Sequence, residues 1–427
     1  MAKNLGLNYL YRKIFKEKAS LEANDFITNL SWSFLGGFIT SVVMFAVNIY
    51  IGRVIGPNEF GKYNLVLTIS QLLLIPIMFS FELSSVRAIA KSINENEKKS
   101  IITTAIVFII LNLAVFSLLA ITFTSQISAR FNLEISVIYI VLLMTIITGL
   151  KQLLDSFVRG LQVFIKQFIG RILELSVSLT VLAYLVISSD KLDYLSYIIV
   201  ITTGGVALIL FYLIVLKKYF SKFDLKIFKN LFSYSKIILL GSVLGTAFNS
   251  LDKIIIAKYL SMAQLGVYSA YYMASTNLVA QLIQIFINVF FPTVSKSVSK
   301  VLIDKIDRLS KIIILPGTIL FSVLVFLILK LFGNKYEMNY YYVLSFGFLA
   351  VIQFIFSIYS FLIMAVSKQI YKKFLIVANI INGIHLVVYG LLIYFDKVSI
   401  QAIVSIFTLN TIINILFQRK ILKNSSI

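Results

Sequence analysis

The sequence predicts an all-α polytopic membrane protein with twelve transmembrane helices in two pseudo-symmetric six-helix lobes. Three observations predict this class: an apolar composition, twelve charge-free windows and a half-chain repeat. Of 427 residues, 59% are hydrophobic and 13% charged, and mean hydropathy is +0.94, whereas soluble domains are roughly half apolar. At roughly 20 residues per membrane helix, that apolar content fills about twelve spans. The chain has no cysteine and a single histidine, His385. This excludes a disulfide framework, a thiol nucleophile and a multi-histidine metal site, and leaves almost no room for a Ser-His-Asp triad.

The windows free of Asp, Glu, Lys and Arg are 26–52, 63–81, 101–129, 135–150, 175–189, 194–216, 237–251, 259–295, 312–329, 338–367, 374–395 and 398–418. Three of them, 135–150, 175–189 and 237–251, are short. Their helices are expected to continue through Lys151 and Asp155, back through Glu174 and Arg171, and forward through Asp252 and Lys253. Charges at such depth should face protein or water, because lipid cannot solvate them.

The net charge of +21 reads as topology. When alternate connections are assigned to opposite sides, 29 of the 39 Lys and Arg residues fall on one side, as the positive-inside rule requires of the cytoplasmic face. Both termini are therefore expected in the cytoplasm. The predicted organisation is a cytoplasmic N-terminal segment 1–25, an N-lobe 26–216, a cytoplasmic linker 217–236, a C-lobe 237–418 and a cytoplasmic tail 419–427. Residues 1–25 read as an interfacial helix with Leu7, Leu10 and Ile14 on one face, not as a signal peptide. The outer connections are about a dozen residues at most by this span assignment. They leave no room for an outer catalytic domain, which argues against glycan polymerases and ligases.

The repeat is gapless over its clearest stretch. Residues 51–63, IGRVIGPNEFGKY, align on 256–268, IAKYLSMAQLGVY, at an offset of 205. Arg53 falls on Lys258, Gly61 on Gly266, Tyr63 on Tyr268 and Gly36 on Gly241. Spans three to six then land on spans nine to twelve. An even number of helices per repeat gives two lobes entering the membrane in the same sense, an arrangement typical of transporters.

The segment Arg53-Val-Ile-Gly-Pro-Asn-Glu-Phe-Gly-Lys-Tyr63, after a span containing Trp32, Gly36 and Gly37, resembles the Wzx-like polysaccharide flippases. These belong to the multidrug/oligosaccharidyl-lipid/polysaccharide exporter (MOP) superfamily. Phe157-Val-Arg-Gly-Leu161, Asp252 with Leu265-Gly-Val-Tyr268, and Leu331-Phe-Gly-Asn-Lys-Tyr336 extend the likeness over essentially the whole chain. The resemblance implies a non-enzymatic flippase of the bacterial cytoplasmic membrane. It would carry a polyprenyl-pyrophosphate-linked oligosaccharide outward by alternating access, for O-antigen, capsule or exopolysaccharide synthesis alongside a polymerase. No cofactor, ATP or nucleic acid is expected, and a sodium or proton gradient is the candidate drive. Cation-coupled multidrug antiporters and lipid II flippases of the same superfamily are the alternatives. The drug-exporting branch lacks the Gly-Pro-x-x-Phe-Gly-x-Tyr turn, and lipid II flippases resemble fourteen-span proteins.

Gly56-Pro-Asn-Glu-Phe-Gly-Lys62 has P-loop spacing, but Tyr63 stands where Ser or Thr would bind magnesium, so it reads as a turn starting the next helix. Polar stripes mark a route through the bilayer. Span seven carries Ser242, Thr246, Asn249 and Lys253; span eight carries Asn277, Gln281, Gln284 and Asn288. Span one offers Ser33, Gly37, Ser41, Met44 and Asn48, and span two Asn64, Thr68 and Gln71. Pro76 and Pro292 are placed to kink spans two and eight. These helices correspond to the cavity walls that the resemblance implies. Lys253 is the candidate pyrophosphate contact, with Asp252 as its counter-ion or a cation-coupling carboxylate; the competing reading places both at the outer interface. Glu82, Arg87, Lys151, Asp155, Arg159, Arg171 and Glu174 form either a cytoplasmic gate or a static helix-pairing network. His385, with Asn382 and Tyr389 on its face, is read as a structural hydrogen-bonding residue or a protonation switch.

Overall fold

The computed structural model describes residues 21–131, 134–189, 191–283, 300–366 and 368–424. It is 91% helical, and no strand occurs among the described residues. In order, the helices are α1 (Leu21–Met78), α2 (Phe81–Lys91), α3 (Glu95–Thr122), α4 (Thr124–Phe131), α5 (Ile135–Gly160), α6 (Phe164–Ser188) and α7 (Tyr194–Leu216). Then follow α8 (Leu225–Tyr259), α9 (Met262–Tyr272), α10 (Lys300–Phe332), α11 (Tyr340–Val366), α12 (Lys368–Tyr394) and α13 (Ile400–Asn424).

Among the described residues, nine helical segments are long and apolar enough to cross a membrane. The first, Gly37–Met78, is 42 residues long and holds predicted spans one and two. Predicted spans seven and eight lie on α8 and α9, and span eight continues beyond the described residues. Mid-helix side chains such as Leu118, Ile214, Leu315 and Val387 are more than 60% exposed. A surface of that kind suits hydrocarbon as its solvent.

Local sequence sets the helix ends. Gly56 breaks α1 with φ of 81°, a backbone conformation that glycine adopts without steric cost. Pro57 then starts the second arm, where its missing N–H is not needed. That arm stops two residues after Pro76, at Phe79 and Ser80, both with positive φ. Asn94 caps α3 through Asn96 N at 2.9 Å, and Ser261 caps α9 through Gln264 N at 3.1 Å. Asp193 and Ser196 form a reciprocal capping box on α7, the side-chain substitute for missing turn hydrogen bonds. Pro292 lies outside the described residues.

The chain divides into two compact units, one of residues 1–47 and 73–239, the other of 48–72 and 240–427. The core of the first is built on Phe81, Ile102, Phe157, Leu208 and Tyr212. Residues 225–236, expected within the linker, form the first turns of α8. They add Phe228 and Phe232 to an aromatic group with Phe79, Phe81 and Phe108. The core of the second unit is built on Val279, Phe321, Ile355, Tyr359 and Leu362.

The second unit includes residues 48–72 because three family-like motifs meet there. Phe60 is 1% exposed and packs on Phe332 and Tyr336, with ring centroids 5.6 and 6.3 Å away. Tyr336 Oη donates to Gly52 O at 2.8 Å, and Lys335 Nζ to Val54 O at 3.1 Å. The repeat-related glycines also face one another. A Cβ on Gly61 would sit 1.9 Å from Met262 O, and one on Gly266 would sit 1.8 Å from Pro57 O. No side chain fits either place without moving backbone, which explains why both repeats carry glycine there. The P-loop-like segment is thus a helix break followed by a helix crossing, with Lys62 paired to Glu59 at 2.7 Å.

Candidate functional site

The second unit positions most of the predicted span-seven and span-eight residues. Asp252 on α8 is fully buried. It accepts hydrogen bonds from Tyr268 Oη on α9 and from the Lys253 backbone N–H at 2.7 Å. A buried carboxylate needs such partners; here they tie α8 to α9. Lys253 is half-buried, with its Nζ 4.6 Å from the centre of the Tyr272 ring, a cation-π distance. Asn249 is exposed and faces a pocket described below. Ser242 and Thr246 lie in α8, but their side chains are outside the described set, as are Gln284 and Asn288 altogether.

The α9 helix does not keep the regular register that the predicted stripe assumed. Residues Met273–Asn277 form a π-helical turn, which rotates everything after it. Ser275 and Thr276 are buried while Asn277 is exposed and Gln281 half-buried. Single π-turns are rare and recur at functional sites. In the span-one and span-two set, Ser41, Asn48 and Gln71 are half-buried. Asn64 and Thr68 return their hydrogen bonds to Phe60 O and Asn64 O, at 2.8 and 2.7 Å.

A pocket of about 300 Å³ lies in the second unit, reached by Asn249, Tyr272 and Thr276 from α8, α9 and the π-turn. Its other walls come from α11 (Gln353, Phe356, Ser357), α12 (Asn382) and α13 (Phe407, Asn410, Thr411, Asn414). The amides form a polarised ladder. Asn410 Nδ2 donates to Asn382 Oδ1 at 2.9 Å, and Asn414 Nδ2 donates to Asn410 Oδ1 at 3.1 Å. Sequence reasoning missed this face, although Asn410, Asn414 and Gln418 recur at steps of four within span twelve. His385 is buried; its Nδ1 lies 2.8 Å from Ile381 O and its ring meets Phe248 edge-on.

The first unit joins the charged residues of spans four and five. Lys151 Nζ lies 2.5 Å from Glu174, and Arg171 bridges Asp155 at 3.2 Å and Glu174 at 3.3 Å. Arg159 reaches Asp155 at 3.4 Å. Tyr212 from α7 donates to Asp155 Oδ1 at 2.9 Å, and Gln167 to the same oxygen at 3.3 Å. These contacts tie α5, α6 and α7 together. Glu82 and Arg87 stand apart on α2. Glu82 Oε2 is buried without a hydrogen-bond partner, and burial holds its carboxyl above the usual carboxylate range, opposed in part by a hydrogen bond from its own backbone N–H and by the charge of Arg159. Arg87 stacks 4.0 Å over Tyr234.

A matching cluster in the second unit was also missed. Asp307 on α10 accepts from Tyr359 Oη at 2.8 Å and from Arg419 Nη2 at 2.6 Å, with Lys423 and Lys311 at 3.6 and 3.7 Å. Its sequence signal was weak because Asp307 sits in a run of surface-like charges. Among the described residues, no three Asp, Glu or His side chains converge as a metal site requires.

Residues 26–298 match the family described as Polysaccharide biosynthesis protein. The chain belongs to that family. This agrees with the family expected from the motifs. No curated protein matches the chain. Among solved structures, the family member is similar to an inward-facing multidrug resistance MATE family transporter of the MOP superfamily. That match has 11% identity and a TM-score of 0.69, and covers 91% of this chain and 96% of that one. An outward-facing MATE structure matches at 12% identity and a TM-score of 0.57, covering 94% and 97%. A MOP superfamily transporter from Pyrococcus furiosus matches at 13% identity and a TM-score of 0.52, covering 93% and 96%. At such identities the likeness is one of fold: the family member shares the fold of these transporters.

Proposed function

We propose that this protein flips a polyprenyl-pyrophosphate-linked oligosaccharide from the inner to the outer leaflet of the cytoplasmic membrane, supplying a polymerase with repeat units for a surface polysaccharide. The observation that carries the reading is the family match over residues 26–298, on a fold shared with transporters. The positive-inside distribution of Lys and Arg supports a cytoplasmic position for both termini. The mechanism is alternating access, in which polar helix faces are exposed first to one side of the membrane and then to the other. Lys253, held over Tyr272, supplies the point charge that meets the pyrophosphate. Asp252 acts through Tyr268, keeping α8 and α9 in register. The ion pairs of Lys151, Asp155, Arg171 and Glu174 serve the cytoplasmic end of the first lobe. A proton or sodium gradient, or the membrane potential, is the energy source.

Deletion of the gene tests this reading. The expected result is loss of the surface polysaccharide with accumulation of a lipid-linked oligosaccharide, both reversed by the wild-type gene and not by Lys253→Ala. The second reading, export of hydrophobic cations, is favoured by the multidrug transporters among the structural relatives. It predicts dye sensitivity on deletion with normal polysaccharide.

A further inference from the structure

We propose that the pocket between the π-turn and helices α11 to α13 is a sugar-binding subsite, which seats one uncharged sugar ring of the cargo. This proposal rests on the flippase reading above and adds a location and a chemistry to it. The site differs from the predicted route along spans one, two, seven and eight, since most of its wall comes from spans ten, eleven and twelve.

Three independent features converge there. The first is the cavity itself, whose volume of about 300 Å³ lies at the lower end of small-ligand pockets, roughly 300–1,000 Å³. The second is a pair of orphaned polar atoms. Thr276 Oγ1 and Asn414 Oδ1 both belong to lining residues, and both are buried without a hydrogen-bond partner. Buried polar atoms are nearly always paired, so two unpaired ones on residues that line one pocket leave hydrogen-bonding capacity that a bound ligand meets once these side chains turn toward it. The third is the π-turn, which brings Thr276 into the wall instead of Asn277.

The lining selects the ligand class. The ladder from Asn382 through Asn410 to Asn414 ends on the Asn414 carbonyl oxygen, which has no hydrogen-bond partner. Thr276 offers a hydroxyl that can donate or accept. Alternating donors and acceptors of this kind match the hydroxyls of a sugar. Phe248 and Phe407 stack at 5.4 Å within the wall, and the half-buried Phe356 beside them supplies an apolar ring for the C–H side of a pyranose. No Asp or Glu is among the described lining residues, so a bare cation would have no counter-charge in the wall. Lys253, over Tyr272 at the margin, leaves the anionic pyrophosphate beside the pocket and the uncharged ring inside it.

The test uses full-length protein in nanodiscs. The probe is the lipid-linked oligosaccharide that accumulates in cells lacking the gene, compared with polyprenyl pyrophosphate bearing no sugar. Wild type is expected to bind the glycosylated lipid at least tenfold more tightly than the bare one. Thr276→Val and Asn414→Leu, which keep side-chain volume, are each expected to cost about tenfold on the glycosylated lipid, the scale of one lost buried hydrogen bond. Their affinity for the bare lipid should stay at the wild-type value, which also shows that the variants are folded. Equal wild-type affinity for the two lipids, or discrimination kept by both variants, would overturn the subsite and leave the flippase reading standing. Failure of any glycolipid to accumulate on deletion would instead overturn the flippase reading.

Discussion

The two halves of the repeat share a helix plan and differ in what they place inside it. At the 205-residue offset, Asn382, Asn410 and Asn414 of the second half correspond to Val177, Gly205 and Ile209 of the first. Conversely, Lys151, Asp155 and Glu174 correspond to Phe356, Ser360 and Asn379. Gly205 is packed so closely that a Cβ would lie 2.8 Å from Ile147 Cγ2. The position of an amide on the pocket wall in one half is therefore solid core in the other. Each half carries an ion-paired cluster; at these equivalent positions the first half places close packing where the second places the amides of a pocket wall.

The largest test of this contrast exchanges the two equivalent residues. Gly205→Asn forces an amide against Ile147 and is expected to abolish folded protein, since overpacking alone costs about 1–3 kcal/mol and an unpaired buried amide adds to it. Asn410→Gly enlarges an existing cavity and should yield folded protein with reduced export. Size-exclusion profiles in detergent distinguish the two, and equal profiles would remove the contrast.

A smaller effect separates the two acidic clusters. Asp155 depends on Arg171 at 3.2 Å, with Arg159 at 3.4 Å as its other cation. Arg171→Ala takes one cation from both Asp155 and Glu174 and leaves each with a single cation, Arg159 and Lys151. Asp307 keeps Lys311 and Lys423 when Arg419 is removed, so Arg419→Ala should lower Tm by less than Arg171→Ala. The reverse order would show that the second cluster is the more dependent on its arginine.

Glu82 gives the smallest effect. Burial raises its folded pKa above the unfolded value, so the folded state favours the protonated form. Stability is then fully present below the unfolded pKa and declines as pH rises through the folded one. Glu82→Gln should match wild type in Tm at acidic pH and exceed it at alkaline pH. Parallel pH profiles would contradict the burial of this carboxyl.

Much of the architecture was legible because membrane burial imposes long charge-free windows and the repeat leaves residues in matching places. The Gly61 and Gly266 match could be read from the alignment; that the two glycines face each other could not, since no residue pattern states which helices cross. The span-eight stripe assumed an unbroken α-helix, and the π-turn at Met273–Asn277 shifted which residues are buried. The amide ladder escaped notice because each rung joins two helices, or two turns, through single hydrogen bonds. Asp252 was singled out as the neighbour of Lys253 at the end of span seven, but its bond to Tyr268 needed coordinates.

The most direct measurement of the central claim is translocation in proteoliposomes. A lipid-linked oligosaccharide labelled on its sugar is incorporated, and sugar newly exposed on the outer leaflet is removed by a glycosidase added outside. Wild-type protein is expected to make the protected inner-leaflet pool accessible within minutes, with Lys253→Ala markedly slower and protein-free vesicles retaining it. Retention of the pool by wild type, alongside gradient-driven export of a hydrophobic dye from the same vesicles, would contradict the account.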